Sequence, residues 1–171
     1  MATFYSDLIS SSNNSLVAGY RSSAGINHGR LRASTPHITA APTTSDVVRM
    51  IDLKSSDRLL WLYLSSGGEA SAGAVNIGLH KKGDANDGAV IDADLFSTAV
   101  VITAETGPTE LFEESTTLES VDRGKQLWQL VGDGATYTED PHEEWTITLT
   151  PTVTVNADTE ISMITLYTAG D

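Results

Sequence analysis

The 171-residue sequence contains no cysteine. Disulfides, thiolate metal ligands and cysteine nucleophiles are therefore excluded together. Long hydrophobic runs are also missing, since no apolar stretch approaches the roughly 20 residues that a membrane-spanning helix needs. The first residues, MATFYSDLISSSNN, carry neither a basic lead nor a continuous apolar block, so we expect no secretory signal. Stability must come from packing, with oligomerisation as a further source.

Catalytic motifs are equally scarce. The four histidines lie far apart in the sequence, and His142-Glu143-Glu144 is only a fragment of a His-Glu-x-x-His metal site. No Gly-x-Ser-x-Gly nucleophile elbow and no glycine-rich phosphate loop occurs. We therefore predict a protein without enzymatic activity and without a cofactor.

One loop has the composition of an ion site. Asp84, Asn86 and Asp87 could direct oxygen atoms toward a Ca²⁺ ion. A calcium-binding EF-hand loop would need Asp or Asn at Gly88 and Glu at Asp94, so the pattern departs at two positions. Hairpin-turn chemistry explains the same residues without an ion, and we expect no metal here.

Positive charge is scarce and unevenly placed. Ten Lys and Arg residues stand against 23 Asp and Glu, which gives a net charge of −13. Residues 1–45 hold only Asp7 against Arg21, Arg30 and Arg32, a net +2, so residues 46–171 carry −15. An acidic body repels nucleic acid and anionic membranes, and we expect neither as a partner. The charge either serves solubility alone or lets the N-terminal segment dock on an acidic surface such as a neighbouring copy.

Residues 1–45 differ from the rest in pattern as well. Ser, Asn, Gly, Thr and Ala dominate, and the large apolar residues are scattered without a lasting period. Such a segment cannot fold alone but can lie along another surface. We interpret residues 1–45 as an extended arm and residues 46–171 as the folded domain, with a disordered tail as the alternative. The arm residues predicted to contact a partner are Phe4, Tyr5, Leu8, Ile9, Tyr20, Arg21, Arg30 and Arg32.

The folded domain is organised around residues 74–98. Val75, Ile77 and Leu79 alternate with polar residues, which predicts a half-buried strand. A polar loop follows, and Asp92 then predicts a capped helical turn over residues 92–96. The clearest alternation comes later, at residues 144–150, where Trp145 and the apolar residues after it should face inward and the threonines outward.

Two further strands, residues 58–64 and 161–167, are apolar on both faces. One face of each should lie in the core and the other against a second subunit. Seven or eight strands joined by Gly-, Ser- and Asp-rich loops, without a βαβ rhythm, predict an all-β fold: an antiparallel β-sandwich of jelly-roll type with an N-terminal arm and one or two short helices. The second helix is expected near residues 127–131. The predicted subunit contacts are Leu59, Trp61, Tyr63, Ile164 and Leu166.

Several segments resemble small virion structural proteins of tailed bacteriophages. Residues 75–80 (VNIGLH) are followed by residues 87–96 (DGAVIDADLF) and a short apolar run at 100–102, as in that family, although His80 replaces its usual aromatic residue. Residues 127–132 (LWQLVG) and 145–150 (WTITLT) follow in the same order. The resemblance covers roughly residues 46–168. It implies a capsid decoration, or cement, protein on the virion surface that binds the major capsid protein as a homo-oligomer.

A trimer would suit the three-fold positions of a capsid. The alternative function is a receptor- or carbohydrate-binding β-sandwich module of a tail fibre or surface protein. Such a module should expose aromatic residues in its loops.

Overall fold

The computed structural model describes residues 3–5, 31–68, 70–83, 88–103, 106–112, 118–131 and 137–170. Within them, strands dominate, and the helical elements are a 3-10 turn at Ser120–Asp122 and the one-turn helix α1 at Leu127–Leu130. The predicted short helix near residue 127 is therefore confirmed. The strands are β1 (Thr3–Tyr5), β2 (Leu31–Ser34), β3 (His37–Ala40), β4 (Val47–Lys54), β5 (Arg58–Gly68), β6 (Ala74–Lys81), β7 (Val90–Val101), β8 (Thr106–Glu110), β9 (Glu144–Val153) and β10 (Thr159–Thr168).

The strands form two packed sheets. Sheet A has the order β1-β4-β9-β6-β7, and sheet B has the order β2-β10-β5-β8, with β3 also paired to β10. All pairs are antiparallel except β1 with β4. The orders β4-β9-β6-β7 and β3-β10-β5-β8 are those of an eight-stranded jelly roll made of two Greek keys. The predicted all-β jelly-roll sandwich is confirmed.

The edge of sheet B begins before residue 46. Strands β2 and β3 lie on the same side of β10, and Met163 N donates to the Pro36 carbonyl between them at 2.9 Å. Residues 31–40 therefore form one interrupted edge strand. The sheet thus includes the C-terminal part of the segment interpreted as an arm.

The core fills the space between the two sheets. Trp145, Ile147 and Leu149 on β9 are fully buried, as their alternation predicts. Burial of side chains this large removes the most apolar area from water, so it supplies the main stabilising contribution to folding. The largest other fully buried side chains are Met50, Leu59, Leu62, Ile77, Leu79, Leu95, Phe96, Ile102, Leu111, Phe112 and Leu127.

The prediction of a helical turn at residues 92–96 is wrong, because these residues belong to β7. Asp92 pairs with Leu79 and Ser97 pairs with Ile77, so β7 has three more residues than β6 between these pairs and bulges. The Asp92 Oδ1 atom does accept a bond from the Asp94 amide, at 3.1 Å. That local bond forms within a bulged strand because pairing with β6 outweighs the local preference for a turn.

Candidate interaction surfaces

The outward side of sheet B carries an apolar surface. Leu166 on β10 lies opposite Trp61 on β5 and opposite Ala33 on β2, and Ile164 lies opposite Tyr63. Side chains at opposed positions of neighbouring strands share a face. We call this surface the apolar face and define it as Leu31, Ala33, Trp61, Tyr63, Ile164 and Leu166. The exposed fractions of Leu31, Trp61 and Ile164 are 45%, 42% and 40%.

Leu59 does not belong to the apolar face. Trp61 pairs with Leu166 but Leu59 pairs with Tyr167, so Leu60 is an extra residue in β5. This β-bulge shifts the alternation by one residue, and Leu59 points into the core with no exposed area. Strict alternation along β5 predicts Leu59 on the same face as Trp61 and Tyr63, and the structure corrects this prediction. The structure brings together the other four residues predicted as subunit contacts.

Arg123 fixes one side of the apolar face. Its Nη1 donates to the Leu60 carbonyl at 2.7 Å, and its Nη2 donates to Glu110 Oε2 at 3.0 Å. The guanidinium lies 5.6 Å from the Trp61 ring centre and 5.1 Å from that of Phe112, both within cation–π range. Arg123 thereby restricts the movement of the exposed Trp61 ring.

No sequence signal pointed to Arg123. It follows the 3-10 turn, outside any strand, so periodicity does not assign it to a face. Its role depends on the carbonyl of Leu60, 63 residues away, and on Glu110 at the end of β8. Only the folded chain brings these groups together.

The outward side of sheet A is polar but buried. Thr148 Oγ1 is 2.7 Å from His80 Nδ1, and Thr146 Oγ1 donates to Asp52 Oδ1 at 2.6 Å. Arg49 Nη1 donates to Thr146 Oγ1 at 3.3 Å. We call these five residues the polar cluster. Both threonines lie on the outward side of the sheet, as their alternation predicts, but they are fully buried there.

The chain itself covers the polar cluster. A Cβ atom added at Gly78 would overlap the backbone of Asp92 and Ala93, and one added at Gly88 would overlap the Arg49 guanidinium. The bulge of β7 and the residues before it therefore pack on the outward side of β6 and β4. A glycine is needed at each approach because any side chain would occupy the same space.

Burial keeps His80 uncharged. Desolvation and, second, the charge of Arg49 lower the pKa of His80 to about 4. The neutral ring bonds Thr148 and has an exposed fraction of 3%. General acid–base catalysis needs a group within hydrogen-bond reach of substrate. His80 is not accessible to one, so its place in the polar cluster is structural.

Ion pairs lie beside the polar cluster, at the C-terminal end of β6. Lys82 lies 2.7 Å from Glu144 and 3.4 Å from Asp52, and Lys81 lies 2.9 Å from Glu143. Desolvation lowers the pKa of Lys82, but the two carboxylates outweigh it and the net shift is upward. The hydrogen bond from Lys81 lowers the pKa of Glu143.

One cluster of residues has the composition of a catalytic triad without its geometry. Ser55 Oγ donates to Asp140 Oδ1, and His142 Nδ1 lies 3.5 Å from Asp140 Oδ2. In a working triad the histidine stands between the nucleophile and the carboxylate. Here the carboxylate stands between them, and Ser55 is fully buried. In the described ranges no group of three or more His, Asp or Glu residues is placed to hold a metal ion.

Some of the residues predicted to contact a partner or an ion lie in the part of the chain that the structure describes, and the others lie outside it. Arg32 lies on β2 opposite Tyr167, whose phenol it bonds. Phe4 and Tyr5 lie on β1, with only their backbone described. Within the described helical elements, no helix is long and apolar enough to cross a membrane. The residues outside the description are Leu8, Ile9, Tyr20, Arg21, Arg30, Asp84, Asn86 and Asp87.

The fold occurs in proteins of known structure. A chain in the structure "Capsid of Ralstonia phage GP4" matches with a TM-score of 0.59 and 14% sequence identity, over 99% of both chains. A chain of "Cyanophage Pam1 capsid asymmetric unit" matches with a TM-score of 0.47 and 14% identity, over 92% of this chain and 99% of that one. No model of a known protein family matches the sequence, and no curated protein does. At such identity, the GP4 chain shares its fold with this one.

Proposed function

We propose that this chain is a capsid decoration, or cement, protein of a tailed bacteriophage. It binds the outer surface of the shell of major capsid protein as a homotrimer and stabilises that shell. The observation that carries the proposal is the fold match over 99% of both chains to a component of a phage capsid structure. The sequence resemblance of residues 75–102 to small phage virion proteins points to the same class.

The apolar face supports self-association. Trp61 and Ile164 lie on neighbouring strands and are 42% and 40% exposed, beside Tyr63 and Leu166. Contiguous exposed apolar surface on a soluble protein marks an interaction site, and Trp, Tyr and Arg are the residues that contribute most binding energy at interfaces. Three copies around one axis would bury this surface in a closed ring.

The arm supports attachment to the shell. Residues 1–30 precede the jelly-roll strands, and beyond β1 they hold the large apolar residues Leu8 and Ile9. The first 45 residues carry +2 against −15 in the rest. An arm of opposite sign to the body can bind an acidic surface without self-repulsion.

The aromatic residues do not support the carbohydrate-binding alternative. Of the aromatic side chains that the structure describes, Trp61 alone is exposed, and it lies on a sheet under Arg123 and not in a loop. Trp145, a candidate sugar platform by composition, is fully buried.

Co-sedimentation with shells of the virus that encodes this chain tests the function. We expect the full chain to pellet with the shells and to raise their thermal disruption temperature. A variant lacking residues 1–30 should stay folded by circular dichroism, because β2 to β10 remain, but should stay in the supernatant. A full chain that fails to pellet with shells would overturn the proposal.

A further inference from the structure

Strand β1 is an addition to a fold that is complete without it. Strands β3 to β10 form the jelly roll, and β1 lies at the edge of sheet A beside β4. Its register is Thr3 opposite Val47, Phe4 opposite Val48 and Tyr5 opposite Arg49. Among the described strands this is the one parallel pair. Without β1, the backbone groups of β4 at this edge would be open to pairing with another chain.

The two ends of the connection from β1 to β2 lie toward the same end of the sandwich. Tyr5 pairs with Arg49, five residues before β4 ends, and Leu31 pairs with Thr168, which pairs with Arg58 at the start of β5. A three-residue turn joins β4 to β5. Five strand residues span about 17 Å and stacked sheets are about 10 Å apart, so the ends are about 20 Å from each other.

The connection is far longer than this distance requires. Residues 6–30 number 25, and 25 residues can span up to about 85 Å. A folded chain of this length has a radius of gyration of about 15 Å and is about 40 Å across. The connection therefore has the length to place β1 on an adjacent copy.

We propose that the edge of β4 over Val47–Arg49 is a strand-acceptor site for Thr3–Tyr5 of a second copy of this chain, so that copies exchange β1. This inference rests on the homotrimer of the proposed function and specifies how its subunits are joined. The second copy is the favoured occupant because one chain supplies both the donor strand and the acceptor edge, with a defined register. Each copy then gives one strand and receives one, which closes a ring.

The free-energy cost of exchanging β1 between copies is small, and the charges of the two parts of the chain favour the exchange. The exchanged and unexchanged states contain the same backbone pairs, so exchange costs little once subunits are held together at high local concentration. The segment that crosses over, residues 1–30, holds Asp7 against Arg21 and Arg30, a net +1, and residues 31–171 carry −14. Attraction between them assists the crossing.

Cysteine pairing between separately labelled chains tests the exchange. The natural chain has no cysteine, so Thr3→Cys and Val47→Cys can be introduced on separate chains and the two chains co-expressed. Neighbouring strands are about 4.8 Å apart, within the Cα separation that a disulfide bridges. The control pairs Thr3→Cys with Lys54→Cys, an exposed position on the same strand beyond the β1 register.

With equal expression of the two chains, about half of the acceptor neighbours carry Val47→Cys, so we expect mild oxidation to move up to about half of the Thr3→Cys chain into a mixed dimer on a non-reducing gel, and little of it with Lys54→Cys. A chain that carries both Thr3→Cys and Val47→Cys should form multimers linked by disulfides between copies. If the double variant closes only within single chains while light scattering shows a trimer, exchange is overturned and the trimer stands. A monomeric mass overturns the trimer as well. Equal dimer yield with both partners, or no disulfide at all, also overturns exchange.

Discussion

The two outward faces of this sandwich reverse the usual arrangement. Sheet A presents Arg49, His80 and Thr148 on its outward side, yet all three are buried. Sheet B presents Trp61 and Ile164 on its outward side, and both are exposed. The difference arises because the β7 bulge and the Gly88 region cover sheet A, whereas no described segment covers the centre of the apolar face. What lies over a sheet, and not the polarity of its side chains, decides which face is free to bind.

The contrast has an energetic counterpart. Buried polar groups are costly unless they are hydrogen-bonded, and the polar cluster meets this condition through the bonds of Thr146 and Thr148, with Arg49 Nε as the exception. Exposed apolar side chains have no comparable contact within the chain. Their contact with water becomes favourable to remove only when a partner covers them. The outward side of sheet A is therefore covered within one chain, whereas the described residues leave the apolar face of sheet B exposed.

The largest expected effect is a difference in unfolding free energy between a glycine substitution on sheet A and one on sheet B. Gly78→Ala places a methyl group into the Asp92 and Ala93 backbone on sheet A, so we expect a loss of about 3 kcal/mol in unfolding free energy. Gly67→Ala, on the outward side of sheet B, meets no atom within 4 Å and should change stability by less than about 0.5 kcal/mol. Urea unfolding measures both. Equal effects would show that the outward side of sheet A is not covered as described.

Truncating Trp61 should weaken association while leaving the fold intact. Trp61→Ala removes the largest residue of the apolar face, so we expect a loss of about 2 kcal/mol in association free energy, roughly a 30-fold weaker trimer. Sedimentation equilibrium measures it. Val121→Ala, at a 70% exposed position on the 3-10 turn outside the apolar face, is the control and should leave the trimer unchanged. A trimer that tolerates Trp61→Ala would place the interface elsewhere.

Acid should destabilise sheet A through His80. In the unfolded chain histidine binds a proton below about pH 6.5, whereas in the folded chain the pKa of His80 is lowered to about 4. The unfolded state therefore binds more protons between these values, and stability falls as the pH drops through this window. We expect the contribution of His80 to be about 2 kcal/mol smaller at pH 5 than at pH 7.5.

The matched control for this acid effect is His142, whose side chain is 82% exposed. His80→Asn should lower stability at neutral pH but flatten the pH dependence between 4 and 6.5, while His142→Asn should leave that dependence unchanged. Urea unfolding at several pH values gives the comparison. An unchanged slope in His80→Asn would rule out His80 as its origin.

The smallest expected effect concerns Arg123. Arg123→Lys cannot donate to Leu60 and Glu110 at once with the same planar geometry, and it contacts Trp61 less well. We expect a loss of about 1 kcal/mol in association free energy, with greater Trp61 mobility in fluorescence anisotropy. Lys125→Arg, which leaves the apolar face untouched, is the control. Unchanged anisotropy in Arg123→Lys would show that the guanidinium does not hold the ring.

Much of the fold could be predicted from alternation, because alternation records which side of a strand is buried. Trp145, Ile147 and Leu149 show this on β9. The helical turn predicted from Asp92 failed because its cap chemistry is local and pairing with β6 is not. Leu59 was misplaced because nothing in the local sequence marks Leu60 as an extra residue. Thr146 and Thr148 are buried because distant segments lie over their side of the sheet, and no pattern along β9 records those segments.

The bulge at Leu60 has a consequence for how this surface can change over evolutionary time. It frees a main-chain oxygen at a fixed position, and a main-chain atom survives any substitution of the side chain that bears it. Successive variants can replace the apolar residues around this oxygen. The hydrogen bond from Arg123 to the Leu60 carbonyl is kept in each of them. The properties of the apolar face can thus change one residue at a time while the backbone position that orients Arg123 stays the same.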